Sequence, residues 1–441
     1  MKIKRIETNF KQKKYYAVTE SLEFEEDIAG LENEMILVYP EIEYQEILGF
    51  GGAFTEAAAY SLEQTNSKTY QDIMNDYFSE QGLNYTFCRT HINSCDFSLN
   101  SYSYLENKDL TQFSIKRDQR YLIPMIQSAL KIQPNLKILA SPWSPPAFCK
   151  TNHDMCQGGK LKAEYYQFWA NYLVYYIKAY QKENIPIEFM TVQNEPKATQ
   201  FWESCLYSAE EEKDLLHHYL YPTLRLNQLD TKLLIWDHNK ERVLERANLE
   251  IQEDTKNEID GVAFHWYSGD YFENIELVRS QYPNLLLIHT EGCTGYSHFN
   301  PNEEIQNGEI YAHDIIGDLN HGVNAFIDWN LVLNYQGGPN HKNNFCNSPI
   351  MLNKNNTNYI KNLTYYYIGH FSKYIKPGAK RIATCKYTDK LEITAFKNKN
   401  GHVIIIVLNK TEQTIHYALR MRNQICDDQI ASHSIITYQI I

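Results

Sequence analysis

The chain has 441 residues, too many for one small core and enough for a barrel of usual size plus one accessory domain. Its 43 % hydrophobic and 22 % charged content excludes a largely disordered protein. A formal charge of −12, from 54 acidic against 42 basic side chains, provides no field for phosphate backbones or anionic lipid, so nucleic acid is not expected as a partner.

The N-terminal stretch, 1 to 45, opens on MKIKRIETNFKQKKYYAVTE, which is basic with no apolar run behind it. No secretory signal is read there, no later segment reaches the length of a membrane span, and a cytoplasmic location is expected. Nine cysteines, an odd number scattered through strands and loops, fit reduced thiols better than a disulfide framework. MILVYP and neighbouring pieces read as strands.

From 46 to 371 short apolar runs ending in polar or small residues alternate with segments of helical apolar spacing, which implies a parallel sheet. The strand candidates are EILGFGGAF (46 to 54), YTFCRTHI (85 to 92), LKILASPW (136 to 143), EFMTVQNEP (188 to 196), KLLIWDHN (232 to 239), GVAFHWYS (261 to 268), LLLIHTEGC (285 to 293) and AFIDWNLVLN (325 to 334). Eight such units point to an α/β fold, a closed (β/α)8 TIM barrel, with a doubly wound open sheet as the alternative. Helices are expected over 163 to 183 and from Ser208, an N-cap ahead of acidic first-turn residues.

Gly49-Phe50-Gly51-Gly52 lacks the third glycine of a dinucleotide-binding loop, since Phe54 stands there, and reads as a tight turn between strand and helix. Cys88 and Cys95, like Cys149 and Cys156, are seven apart, unlike the close pairs of zinc sites, and the adjacent His217 and His218 have no metalloprotease context. No metal or other cofactor is expected. After 371 the pattern becomes alternating: KLEITAFKN, Asn400-Gly401 as a two-residue hairpin signal, then HVIIIVLNK. Residues 372 to 441 therefore read as a side β-sandwich, to which 1 to 45 add strands, so the chain ends meet.

Reactive groups in such a barrel gather at the C-terminal ends of the strands. There the sequence places Arg89, His91, Trp143, Asn194, Glu195, Asp237, His265, Tyr267, Glu291 and Trp329. Glycoside hydrolysis needs two carboxyls flanking the bond, one to protonate the leaving oxygen and one to attack carbon or activate water. Glu195 and Glu291 fit that pair, ending the fourth and seventh strands on opposite sides of the mouth. A strand-end ion pair is the bland reading of either one alone. Asn194 is placed to hydrogen-bond a sugar 2-hydroxyl, and Tyr267 to bond Glu291 or substrate. His265 reads as an orienting group.

The segments GFGGAFTEAAA (49 to 59), RTHINSCDFS (89 to 98), LASPWSPPAFCKTN (139 to 152), TVQNEP (191 to 196), HWY (265 to 267), HTEGC (289 to 293) and DWNLVLNYQGGPNHKNNF (328 to 345) resemble glycoside hydrolase family 30, and its glucosylceramidases most. The likeness continues through YYYIGHFSKYIKPGAKRI and VIIIVLN, so it spans nearly the whole chain. The resemblance implies a (β/α)8 barrel with a side β-sandwich built from both chain ends, and a retaining, exo-acting β-glycosidase, in first place a β-glucosidase, cleaving a small β-glycoside or a glycolipid.

It further implies Glu195 as acid/base with a raised pKa and Glu291 as nucleophile, kept ionised by Arg89, with Asp96, Trp143 and Trp329 lining the sugar subsite and Asn344 at its edge. His341 stands where animal glucosylceramidases carry tryptophan, which leaves lipid recognition open. β-Xylosidase, β-fucosidase and a catalytically silent sugar-binding barrel are the alternatives. Oligomeric state is not readable.

Overall fold

A computed structural model describes residues 2–19, 22–30, 32–297 and 300–441, so Met1, Glu20, Ser21 and Leu31 of the N-terminal stretch lie outside the described residues. Eight parallel strands close into a barrel in chain order: Gly49–Phe54, Phe87–Ile92, Lys137–Pro142, Phe189–Thr191, Lys232–Asn239, Gly261–His265, Leu286–Glu291 and Ala325–Asp328. The eighth pairs with the first, Ala325 against Gly49 and Asp328 against Gly52. The open-sheet alternative is thereby excluded.

The barrel axis is filled by one side-chain cluster, Phe87, Leu139, Phe189, Leu234, Ala263, Ile288, Ala325 and Ile327, all buried. These residues come from seven of the eight strands, so the interior is a packed core with room for chemistry only at its mouth. The first strand contributes glycine instead. A Cβ on Gly51 would stand 1.7 Å from the Phe87 carbonyl oxygen, so the Gly49–Gly52 run serves close strand approach within the barrel. It is not the turn that its composition predicts.

Three further expectations need correction. The fourth strand is only Phe189–Thr191, because beyond it the chain leaves the regular ladder, and Glu195 takes a left-handed φ of 46°. The eighth strand stops at Asp328; Asn330, at φ 48°, turns the chain, and Val332–Leu333 joins a separate three-stranded sheet with Ile350–Leu352 and Tyr359–Lys361. In the C-terminal hairpin Asn398 N–H donates to the His402 carbonyl at 2.9 Å, which leaves a three-residue loop with Gly401 at φ 87°. Ser208 does cap its helix: its hydroxyl accepts from Glu211 N–H at 3.2 Å while Glu211 accepts from Ser208 N–H at 2.8 Å.

The side domain is one ten-stranded sheet. Across it lie Lys14–Thr19, Ile3–Asn9, Ser434–Ile440, Val403–Asn409, Leu391–Lys397, Lys380–Lys386, Met35–Glu46, Ile415–Met421, Gln424–Ile430 and Glu25–Glu26. The sheet folds over itself, since Arg5 from the second position reaches Asp428 in the ninth at 2.7 Å, around a buried core that includes Ile36, Ile405, Leu419 and Tyr438. The first and last long strands are neighbours, Ile3 against Ile440, so both chain ends build this domain. His370, on the helix Leu363–Ser372, joins it to the barrel through Thr8 at 2.9 Å and Thr437 at 2.8 Å.

Candidate active site

Two bulges aim polar side chains inward at the barrel mouth. Ala263 pairs with Trp236 and Phe264 with His238, which makes Asp237 the extra residue of the fifth strand, at φ 48°. Phe264 pairs with His289 and His265 with Glu291, which makes Thr290 the extra residue of the seventh. Bulges bend a strand and re-aim its side chains. Here both extra residues meet: Thr290 Oγ1 donates to Asp237 Oδ1 at 2.6 Å.

Asp237 is the hub beneath the site. Arg89 donates to its Oδ2 at 2.7 Å, Thr191 to the same oxygen at 2.7 Å, and His265 Nε2 lies 3.0 Å from Oδ1. Although burial alone would raise it, the adjacent Arg89 and His265 hold this carboxyl far below the usual range. Arg89, fully buried, also donates to Glu291 Oε2 at 2.8 Å, to Asn194 Oδ1 at 3.0 Å and to Ser141 at 3.0 Å. One guanidinium thus orients residues from the third, fifth and seventh strands and from the loop that follows the fourth.

Above this layer Glu195 and Glu291 face one cavity of about 400 Å³. One oxygen of each, together with a ring nitrogen of His265, lies within 4.8 Å of the others. Tyr267 Oη donates to Glu291 Oε1 at 3.0 Å, and His265 Nδ1 lies 3.3 Å from Glu195 Oε1. Burial would lower His265, but the charge of Glu291 and the bonds to Asp237 and Glu195 raise it to about 9. Burial, with the charge of Glu195, pushes Glu291 up against the pull of His265 and Arg89. For Glu195 burial is the largest single influence and would raise the carboxyl, but the hydrogen bond from His265, the charges of His238 and His265 and the bond from Gln200 together draw it down. The expected order, Glu195 raised and Glu291 low, is therefore reversed, because His265 is a cation set against Glu195.

The far wall is aromatic. Trp143 and Trp329 stack with centroids 5.2 Å apart, and Arg89 Cζ lies 4.8 Å from the Trp143 ring. Asp96, 4 % exposed, receives Asn340 at 3.2 Å and Asn344 at 3.1 Å on one oxygen, Oδ2, and burial raises it to about 7. Beside Asp96, His341 Nε2 meets the buried Glu203 at 3.3 Å, while its Nδ1 lies 3.0 Å from the carbonyl of Asp96.

Eight of the sequence candidates, Asp96, Trp143, Asn194, Glu195, Tyr267, Glu291, Trp329 and Asn344, line the cavity, and Arg89 and His265 lie directly beneath. His91 is not among them; its Nδ1 bonds the Asn93 carbonyl and its Nε2 accepts from Glu56 N–H at 3.1 Å. Sequence reasoning gave no role to Gln200, Trp202, His238, Cys293, Phe345 and Cys346, which also line the cavity, or to Asn340 and Glu203. Asn340 and Phe345, within the GGPNHKNNF run that holds Asn344, and Cys293, within HTEGC, carried a local signal.

An eight-stranded barrel whose mouth opposes two carboxyls against a wall of tryptophans defines the chain as a glycoside hydrolase. Residues 47–375 match the glycosyl hydrolase family 30 TIM-barrel domain and 378–438 the family 30 β-sandwich domain, and the chain belongs to that family. It is 31 % identical to lysosomal acid glucosylceramidase of Mus musculus over 86 % of this chain and 78 % of that one. SrfJ from Salmonella typhimurium is 36 % identical, with a TM-score of 0.97 over 100 % of this chain and 99 % of that one. An endo-β1,6-glucanase structure is 26 % identical, with a TM-score of 0.90 over 100 % and 99 % of the two chains.

Proposed function

We propose that this protein is a retaining, exo-acting β-glucosidase that removes a terminal β-linked sugar by double displacement. The observation that carries the reading is the approach of Glu195 and Glu291, oxygen to oxygen within 4.8 Å across one cavity. Retaining enzymes hold their carboxyls about 5 to 5.5 Å apart, whereas inverting enzymes leave about 6.5 to 9.5 Å for a water.

Glu291, aimed by Arg89 and Tyr267, attacks the anomeric carbon. Glu195 protonates the leaving oxygen with a proton that the site already holds on His265 Nδ1, 3.3 Å away. The bond to the aglycone breaks, a glycosyl ester forms on Glu291, and His265 is left neutral against Asp237. Esterification removes the negative charge of Glu291, so Glu195 is free to take a proton from water, return it to His265 and release the sugar with its configuration kept. Asp96 and Trp143 on the cavity wall support a subsite for one terminal residue, the carboxyl to accept sugar hydroxyls and the ring to face the apolar side of the sugar.

The glucosylceramidase relative supports glucose as the glycone, and the endo-β1,6-glucanase likeness supports internal attack on a glucan as the second reading. The test is a panel of nitrophenyl β-glucoside, β-xyloside and β-fucoside, a ceramide-linked glucoside and a β1,6-glucan, with products sized and their anomeric configuration followed by NMR. Free β-glucose as first product is expected. Oligosaccharides from the glucan would establish the endo reading, an α-anomer would exclude retention, and binding without turnover of any substrate would sink the enzyme reading.

A further inference from the structure

Two thiols stand at the rim of the cavity. Cys293 follows Glu291 by two residues on the loop after the seventh strand, Cys346 lies on the loop after the eighth, and their sulfurs are 3.3 Å apart. The segments that carry them are already joined: Gly295 bridges Cys346, and Asn347 N–H donates to the Thr294 carbonyl at 3.0 Å. Cys293 Sγ is also 3.5 Å from Tyr267 Oη, the hydroxyl that donates to Glu291. Cys293 is partly exposed and lines the cavity together with Cys346, so a small oxidant in the sugar pocket reaches the pair.

We propose that Cys293 and Cys346 are an oxidisable dithiol that closes to a disulfide and slows the enzyme. The co-reactant is a low-molecular-weight disulfide or a peroxide. With the former, deprotonated Cys293 attacks one sulfur of the reagent and expels the other half as thiolate. Deprotonated Cys346 then attacks the mixed disulfide at Cys293 and expels the second half. The two cysteines lose two electrons and two protons, and the reagent becomes two thiols. A disulfide needs about 2.05 Å between sulfurs, so the pair draws together by roughly 1.2 Å.

Closure withdraws the Cys293 sulfur from Tyr267 and pins the two rim loops to each other. Tyr267 then loses the neighbour that holds its hydroxyl over Glu291, which is a change in kcat more than in KM. The contact with Cys346, and after it burial, raise the Cys293 thiol well above its usual range, so the reaction is slow at neutral pH and quickens as pH rises.

The kinetic consequence rests on the proposed glycosidase reading; the bond itself does not, and the experiment separates them. A Cys385→Ser chain, which removes the exposed thiol of the side domain, is equilibrated in glutathione buffers of graded ratio. Peptide mass mapping then reads the Cys293–Cys346 link, and turnover of nitrophenyl β-glucoside is measured in parallel. The link is expected to form, with about a tenfold fall in kcat that dithiothreitol reverses. In a Cys385→Ser/Cys346→Ala chain the link cannot form, and Cys293 should instead stop at the mixed disulfide, whose mass shift dithiothreitol removes. In the Cys385→Ser chain itself, a mixed disulfide on Cys293 without the link, or no link at any ratio, overturns the dithiol. A link with unchanged kcat overturns the switch. A protein inactive on every glycoside yet cross-linked would instead count against the glycosidase reading alone.

Discussion

Charges at the site are set by neighbours more than by residue type. His265 shows this most clearly: solvent is excluded, which favours the neutral ring, yet three carboxylates around it raise it to about 9. A histidine so raised contributes stability that is complete below its ordinary value of 6.5 and disappears as pH climbs through about 9. In the proposed mechanism the same proton serves Glu195. We therefore expect kcat/KM to fall above about pH 9, and a His265→Gln chain to be slower at neutral pH with that alkaline limb missing, as read from pH–rate profiles. An unchanged limb in the variant would remove His265 from the proton path. Glu195→Gln should cut turnover by about 10² to 10⁴, the usual worth of a general acid, and least for substrates with the most acidic leaving groups. Glu291→Gln should abolish it.

At the scale of elements, the seventh and fifth strands hold their shape through a network outside the barrel. Lys240, on the turn after the fifth strand, pairs with Asp314 at 2.6 Å and Asp318 at 2.7 Å on the helix Pro301–Asn320. His289 of the seventh strand shares the same carboxylates, at 3.2 and 2.7 Å. Histidine and two aspartates in this arrangement could hold a metal ion, but the Lys240 ammonium already supplies the positive charge. Lys240→Met leaves two buried carboxylates short of a partner, which costs about 3 to 5 kcal/mol. A urea titration should show that loss, and adding Asp318→Asn should recover part of it. Recovery is the informative half, because a simple packing defect would not respond to it.

For the whole molecule, the joint between barrel and sandwich includes the fully buried His370, held neutral between Thr8 and Thr437 and pushed down to about 3 by burial. An unfolded histidine takes up a proton near 6.5 and the folded one does not until about 3, so stability falls as pH drops through that interval. Between pH 7 and 5 the loss is about 2 kcal/mol, which His370→Gln should abolish in a comparison of unfolding curves. Because Thr8 and Thr437 come from opposite chain ends, this acid sensitivity belongs to the assembled molecule and to no single segment.

The sequence by itself determined the eight strands, the two-ended sandwich, and Glu195 and Glu291 as the opposed pair, since apolar periodicity and strand-end polarity are local properties that survive in one dimension. It misread the glycines of the first strand, the length of the fourth and the end of the eighth, because those depend on how near another backbone comes. Only the tertiary structure decided that Asp237 is the hub, that His265 is a cation reversing the expected carboxyl order, and that Cys293 finds Cys346 across 53 positions. Electrostatics and thiol contact act through space over a few ångströms, and bulges and loops set those distances where sequence spacing carries no record of them.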